Sequence, residues 1–227
     1  RKCNVYCEVI DYNSSNMANI YDLNVRGIIL SGGPDVVPES IDNDIINLRK
    51  IGCPVLGICF GAQYIAKYYS AIIKKINGEY GKTLIDIHVK DSPIFQHINS
   101  SIDVWMSHSN SIVQNLSSSV DMQVLSITEN DNIAAFKIKN KDIYGLLFHP
   151  EVSHTTDGFI ILDNFVNICH CKREWRPKNI VKHIVRQIKD KVKNEKVIMA
   201  VSGGVDSTVA ACLISKAIRS NLRCVFI

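Results

Sequence analysis

Short unbroken apolar runs alternate with helix-period stripes over the first seventy residues. Val5–Ile10 reads as a first strand, followed by a polar connection of weak helical character to Asn24. Gly27–Leu30 is a continuous apolar run, as expected of a strand buried on both faces of a parallel sheet. It ends in Ser31-Gly32-Gly33-Pro34, a glycine turn that leaves backbone N–H groups free. Ile41, Ile45, Ile46 and Leu48 predict an amphipathic helix over 41–50. A buried strand follows over Pro54–Ile58, then a helix over Gly61–Tyr69. Strand, helix, strand, helix predicts an α/β sheet with its ligands at the carboxyl ends of the strands.

The middle of the chain is richer in strands. They are predicted over 84–89, 102–106, 123–127, 133–138 and 143–148, with a closing helix over Gly158–Ile168. Residues 171–179, holding Arg173, Trp175, Arg176 and Pro177, read as a linker. Pro177 suits a first helical turn, and Ile180, Ile184, Val185, Ile188 and Val192 give the next helix its apolar stripe. Lys196–Val201 then reads as a strand, Ser202–Ser207 as a turn, Thr208–Arg219 as a helix and Leu222–Ile227 as another strand. The domains expected are 1–170, a connecting segment with an inter-domain helix over 171–194, and the opening of a second domain over 195–227. Some 50 residues cannot complete a doubly wound domain.

Composition narrows the class. The chain has 227 residues, 46% of them hydrophobic and 21% charged, which is globular. A net charge of +4 suggests no nucleic-acid stripe and would not repel a nucleotide. No apolar run approaches the roughly 20 residues of a membrane span, so no membrane partner and a cytoplasmic location are expected. The eight cysteines lack the spacing of a small secreted framework and read as reduced thiols. Cys169-His170-Cys171 is the one metal-like cluster; it lacks a second ligand pair at zinc spacing, and no metal site is expected.

The candidate chemistry centres on Gly57-Ile58-Cys59-Phe60-Gly61. A strand, a tight turn carrying a nucleophile and then a helix is the layout of a nucleophile elbow. Glycines at minus two and plus two remove side chains where strand and helix crowd the turn, and a helix N-terminus favours negative charge. A buried structural thiol fits the same pentapeptide equally well. A nucleophile needs a base, a group that orients the base, and an oxyanion hole. His149 and Glu151, two apart on extended backbone, project to one face, so Glu151 can orient an imidazole facing Cys59. The N–H groups of Phe60 and Gly33 are the natural oxyanion donors. The set suits acyl transfer through a thioester.

Ser31–Pro34, Gly57–Gln63 and His149–Glu151, in this order and at these spacings, resemble the class I glutamine amidotransferases. The resemblance implies a flavodoxin-like α/β domain that hydrolyses glutamine and passes ammonia to a synthase. It makes Cys59 the nucleophile, His149 the base and Glu151 its orienter, with Gly33 and Phe60 at the oxyanion hole. Gln63, Ser107 and His108 match positions that hold glutamine in that family. Where the family commonly has Ser-His-Gly-Asp, this chain has Ser107-His108-Ser109-Asn110. Asn110 keeps a carbonyl acceptor but lacks the charge that could pair with the substrate's α-ammonium.

Ser202-Gly203-Gly204-Val205-Asp206-Ser207 is similar to the pyrophosphate-binding loop of ATP pyrophosphatases. Consecutive glycine N–H groups before a helix can form an anion nest. Ser202, Ser207 and Thr208 add hydroxyls, and no GKS or GKT follows as in a Walker A loop. The resemblance implies a doubly wound parallel sheet beginning here, ATP as substrate with Mg2+ near Asp206, and no prosthetic group. Together with the Cys169–Trp175 linker, the two motif sets resemble the glutamine-hydrolysing GMP synthase family. That implies glutamine, ATP and XMP as substrates and a homodimer through a C-terminal region beyond Ile227. It also implies a family strand and helix before Arg1. A NAD synthetase-like amidotransferase and a catalytically silent, regulatory amidotransferase-like domain stay open as alternatives.

Overall fold

The computed structural model describes residues 2–11, 20, 25–33, 37, 47–113 and 122–227. Their strands are β1 (Ile28–Leu30), β2 (Val55–Ile58), β3 (Ile72–Ile87), β4 (Ser101–Val113), β5 (Met122–Thr128), β6 (Ile133–Ile138), β7 (Ile143–Leu146), β8 (Val197–Val201) and β9 (Leu222–Phe226). Their helices are α1 (Phe60–Tyr68), α2 (Gly158–Ile168), α3 (Pro177–Val192) and α4 (Val205–Ile218). The chain divides into two compact units: Glu8–Cys171, and Lys172–Ile227 together with Arg1–Cys7.

In the first unit, seven strands form one sheet in the order β1-β2-β7-β6-β5-β3-β4. Within this sheet β1, β2 and β7 are parallel neighbours, and the other ladders are antiparallel. The parallel part is α/β, as its unbroken apolar runs predict. Every residue of β2 and β7 is buried. Leu56, Ile65, Phe136, Tyr144, Leu146 and Phe148 pack with no exposed surface. Complete burial of side chains this size stabilises by about 1.5–3 kcal/mol each.

The structure departs from the sequence reading in several places, and β1, expected to be buried on both faces, leaves Ile29 47% exposed. Val5–Ile10 belongs to no strand; Val9 is exposed, and Tyr6 packs edge-on against Trp175. An apolar stretch needs a partner ladder as well as a pattern. Most of the helix expected over 41–50 lies outside the described residues, and 48–50 form a turn. β3 begins at Ile72, twelve residues before the predicted 84, because its polar first half pairs with β4 rather than burying a face. β4 runs on to Val113, so Ser107–Asn110 lies inside a strand and not after one. The helix expected from Thr208 begins at Val205, which puts Val205–Thr208 in its first turn.

In the second unit, α4 connects the parallel pair β8 and β9, with Val197 opposite Leu222 and Val201 opposite Phe226. This is one βαβ unit. The Trp175 N–H donates to the Asn4 carbonyl at 2.8 Å, and α3 packs beside α4. No helix among the described residues is long and apolar enough to cross a membrane.

Candidate active site

Cys59 stands between β2 and α1 with φ 49° and ψ −107°. Such a conformation costs a non-glycine residue about 1–3 kcal/mol and persists only where its surroundings impose it. The surroundings here are specific. A Cβ on Gly57 would lie 2.6 Å from the Ala62 nitrogen and the Gly61 carbonyl, and one on Gly61 would run into the Leu30 carbonyl of β1. The backbones meet where only glycine fits. The Cys59 N–H donates to the Leu146 carbonyl at 2.7 Å, and the Cys59 carbonyl accepts from the Gln63 N–H at 3.0 Å. The Phe60 N–H, in the first turn of α1, has no intrahelical acceptor.

The ladder between β2 and β7 pairs Ile58 with Leu146, which brings the segment after β7 to the elbow. The His149 N–H donates to the Trp105 carbonyl at 3.0 Å. Thr155 Oγ1 donates to the His149 carbonyl at 2.6 Å and accepts from the Trp105 N–H at 3.0 Å. His149 is thus tied to β4 through its backbone. Its Nδ1 donates to Glu151 Oε1 at 2.7 Å. The hydrogen bond with Cys59, and then that with Glu151, push the His149 pKa up to about 10. Burial pushes the Glu151 carboxyl up, but the His149 hydrogen bond and charge hold it below the usual carboxylate range. The structure therefore brings Cys59, His149 and Glu151 together across 90 residues of sequence.

Gly32 also lines this group. A Cβ on Gly32 would lie 3.1 Å from His149 Cε1 and 3.6 Å from Cys59 Cβ, whereas one on Gly33 would meet nothing within 4 Å. Pro34 lies outside the described residues. The Cys59 Sγ donates to the Ser107 carbonyl at 3.7 Å, and Gln63 Nε2 donates to the Asn110 carbonyl at 3.3 Å. β4 thus meets the elbow through backbone oxygens. The His108 side chain is buried, with Nε2 3.5 Å from Glu79 Oε2. Burial lowers the His108 pKa; Glu79 and the Asn110 backbone oppose the fall, and His149 adds to it.

Gly32, Thr155 and Glu79 are absent from the sequence-derived site. Gly32 stands inside the Ser31–Pro34 stretch that signalled it, and Thr155 follows the His149–Glu151 motif by four residues. Glu79 carried no signal, because only the β3–β4 pairing sets it opposite His108.

The Ser202–Thr208 loop lies in the second unit. Gly203 has φ +79°, and Gly204 caps α4. Ser202 Oγ and Ser207 Oγ stand 3.3 Å apart, and the Ser207 and Thr208 hydroxyls donate to the Gly204 carbonyl at 3.0 and 2.8 Å. Asp206 sits in the exposed first turn of α4 beside Val205. Consecutive N–H groups at an exposed helix N-terminus fit an anion such as a nucleotide phosphate. Among the described residues no group of three or more His, Cys, Asp and Glu could hold a metal ion. Burial first, then Cys171 and Cys53, push the Cys169 thiol up to about 12. The eight cysteines form no disulfide with one another.

A family model described as glutamine amidotransferase class-I matches residues 1–169. The fold and the elbow agree with it, and the chain belongs to the class I glutamine amidotransferase family. A second model, described as NAD synthase, matches residues 178–227. Over 231 residues the chain is 41% identical to a protein of Cytophaga hutchinsonii named GMP synthase [glutamine-hydrolyzing], covering 100% of this chain and 44% of that protein. A protein of the same name from Caldicellulosiruptor saccharolyticus is 42% identical over 233 residues, with the same coverage. The chain therefore spans less than half the length of these curated relatives. Among solved structures it resembles a Thermoplasma acidophilum protein described as a GMP synthase subunit. The TM-score is 0.61, with 29% identity over 72% of this chain and 80% of that one.

Proposed function

We propose that this chain is the glutaminase and the opening of the synthase domain of a glutamine-dependent GMP synthase, a cytoplasmic ligase of purine nucleotide biosynthesis. The observation that carries the reading is the convergence at one strand end of a strained Cys59, φ 49°, with His149 and Glu151, paired at 2.7 Å. The full-length relatives named above support it. Residues 1–170 are the amidotransferase domain, 171–194 the linker and inter-domain helix, and 195–227 the first part of the ATP pyrophosphatase domain.

In this reading the Cys59 thiolate attacks the amide carbon of glutamine. The Phe60 and Gly33 N–H groups receive the developing oxyanion. The carbon–nitrogen bond breaks, ammonia leaves with a proton from His149, and a thioester remains. His149 then takes a proton from water as that water hydrolyses the thioester, releasing glutamate. Gln63 and the Ser107–Asn110 stretch, with His108 behind it, form the glutamine pocket. At the second site the 202–208 loop holds the phosphates of ATP, with Asp206 beside the Mg2+ that accompanies it. ATP places AMP on the 2-oxo oxygen of XMP and releases pyrophosphate; ammonia displaces AMP to give GMP.

Replacing Cys59 with Ala in the full-length protein abolishes glutamine-dependent GMP formation and spares synthesis from added ammonia. Survival of both activities, or loss of both in a folded protein, overturns the assignment. The NAD synthase match over 178–227 favours a second reading, a different acceptor at the same ATP loop. Product formation with XMP but not with deamido-NAD decides for the first. No covalent labelling of Cys59 by a glutamine-like electrophile would instead indicate a silent, regulatory domain.

A further inference from the structure

Glu79 and His108 are buried polar residues outside the catalytic group, and their surroundings are unusual. Glu79 pairs with His108 and Lys75 with Asn110 in the β3–β4 ladder. Three residues, Ile76, Asn77 and Gly78, therefore face the single Ser109, and Gly78 takes φ +85°. The ladder is broken where β4 runs past the elbow. On either side of this break, the Ser107 carbonyl accepts from Cys59 and the Asn110 carbonyl from Gln63. With the regular ladder interrupted, something else has to hold this stretch in register.

The carboxylate of Glu79 lies among three strands at this point, bonded through Oε1 and in 3.5 Å contact with His108 through Oε2. Its Oε1 accepts from Thr128 Oγ1 at 2.8 Å, at the end of β5, and from Asn132 Nδ2 at 3.0 Å, in the β5–β6 turn. Its Oε2 faces His108 Nε2 on β4 at 3.5 Å. Both residues are only 6% exposed, so the contact is shielded from water and from salt. The His108 side chain turns to Glu79 while the carbonyls on either side of it meet Cys59 and Gln63. We infer that the Glu79–His108 pair is a positioning device that holds the Ser107–Asn110 stretch, across the break in the ladder, so that its carbonyls meet Cys59 and Gln63. This deepens the glutaminase reading and rests on it.

Glu79→Gln, His108→Gln and the double variant in the full-length protein test it through steady-state glutamine hydrolysis. Each single variant is expected to raise KM for glutamine about tenfold or more with a smaller change in kcat, since small misplacements cost up to about 10²-fold. The double variant is expected to be no worse than the poorer single one, because the two side chains act as a unit. Thr128→Val removes one hydrogen bond from Glu79 without touching β4 and shifts KM the same way by less. Additive effects, a KM within twofold of wild type in the single variants, or an equal loss confined to kcat overturns the inference. If the two Gln variants do not fold, an unchanged KM in Thr128→Val overturns it. Wild-type protein that hydrolyses no glutamine overturns the glutaminase reading and this inference with it, whereas active wild type with unaltered variants overturns this inference alone.

Discussion

The chain makes the turn from a parallel strand to a helix twice and uses it in opposite ways. At β2–α1 the residue with positive φ is Cys59, a side chain with chemistry, and the flanking glycines let backbones approach where a Cβ would not fit. At β8–α4 the residue with positive φ is a glycine, Gly203, and the hydroxyls around it fold back onto the Gly204 carbonyl. The first turn is buried and aims a thiol; the second is exposed and offers backbone N–H groups. Attack on carbon needs one side chain held in one place, so strain is tolerated to hold it there. Cradling a phosphate needs donors from successive peptide units, so side chains are best kept out of the way.

Four variants put this contrast to the test. The largest expected effect is Cys59→Ala, with a loss of glutamine hydrolysis on the order of 10⁴-fold and ammonia-dependent synthesis retained. Glu151→Gln keeps a hydrogen bond to His149 but removes the charge, and kcat for glutamine is expected to fall about 10²-fold. Gly61→Ala, whose Cβ would meet the Leu30 carbonyl, is expected to cost about 3 kcal/mol in urea unfolding. At the other turn, Gly203→Ala meets only the edge of Phe226, 3.4 Å away, so its cost is the left-handed backbone alone. That is about 1–2 kcal/mol, seen as roughly tenfold weaker ATP binding with glutamine hydrolysis by the first unit unchanged. A Gly203 variant as damaging to folding as Gly61→Ala would erase the distinction between the turns.

The smallest effect is in pH. The His149 pKa is raised from an ordinary 6.5 to about 10. The stability contributed by its protonated form is therefore complete below about pH 6.5 and is lost as pH rises through about 10. Urea unfolding of wild type across that window should weaken with rising pH. Cys59→Ala, which lacks the largest cause of the shift, should weaken less. Glu151→Gln, which removes the carboxylate charge that also raises it, should move the alkaline limb of glutamine hydrolysis to lower pH. An alkaline limb unmoved in Glu151→Gln would show that Glu151 does not hold the imidazolium.

The parallel strands and the elbow were legible because β2 and β7 are buried on both faces and read as unbroken apolar runs. The first half of β3 was not. Ile72–Thr83 mixes lysines with glycines, and only its partner β4 makes it a strand. The same holds within the site. His149 and Glu151 could be paired from spacing alone, since alternate residues of an extended chain share a face. That Gly32 lies against His149 could not be read, because it depends on where the imidazole comes to rest.

Local sequence was enough to mark which residues could carry chemistry and which turns present them. A glycine two residues either side of a cysteine, or two in succession before a helix, constrains the backbone within a few bonds. Long-range packing had to settle the rest: that β7 lies beside β2, that β4 meets the elbow through its carbonyls, and that Glu79 faces His108. Those are contacts between segments tens of residues apart. They are set by which strands share a ladder and in what register, and no local pattern carries that information.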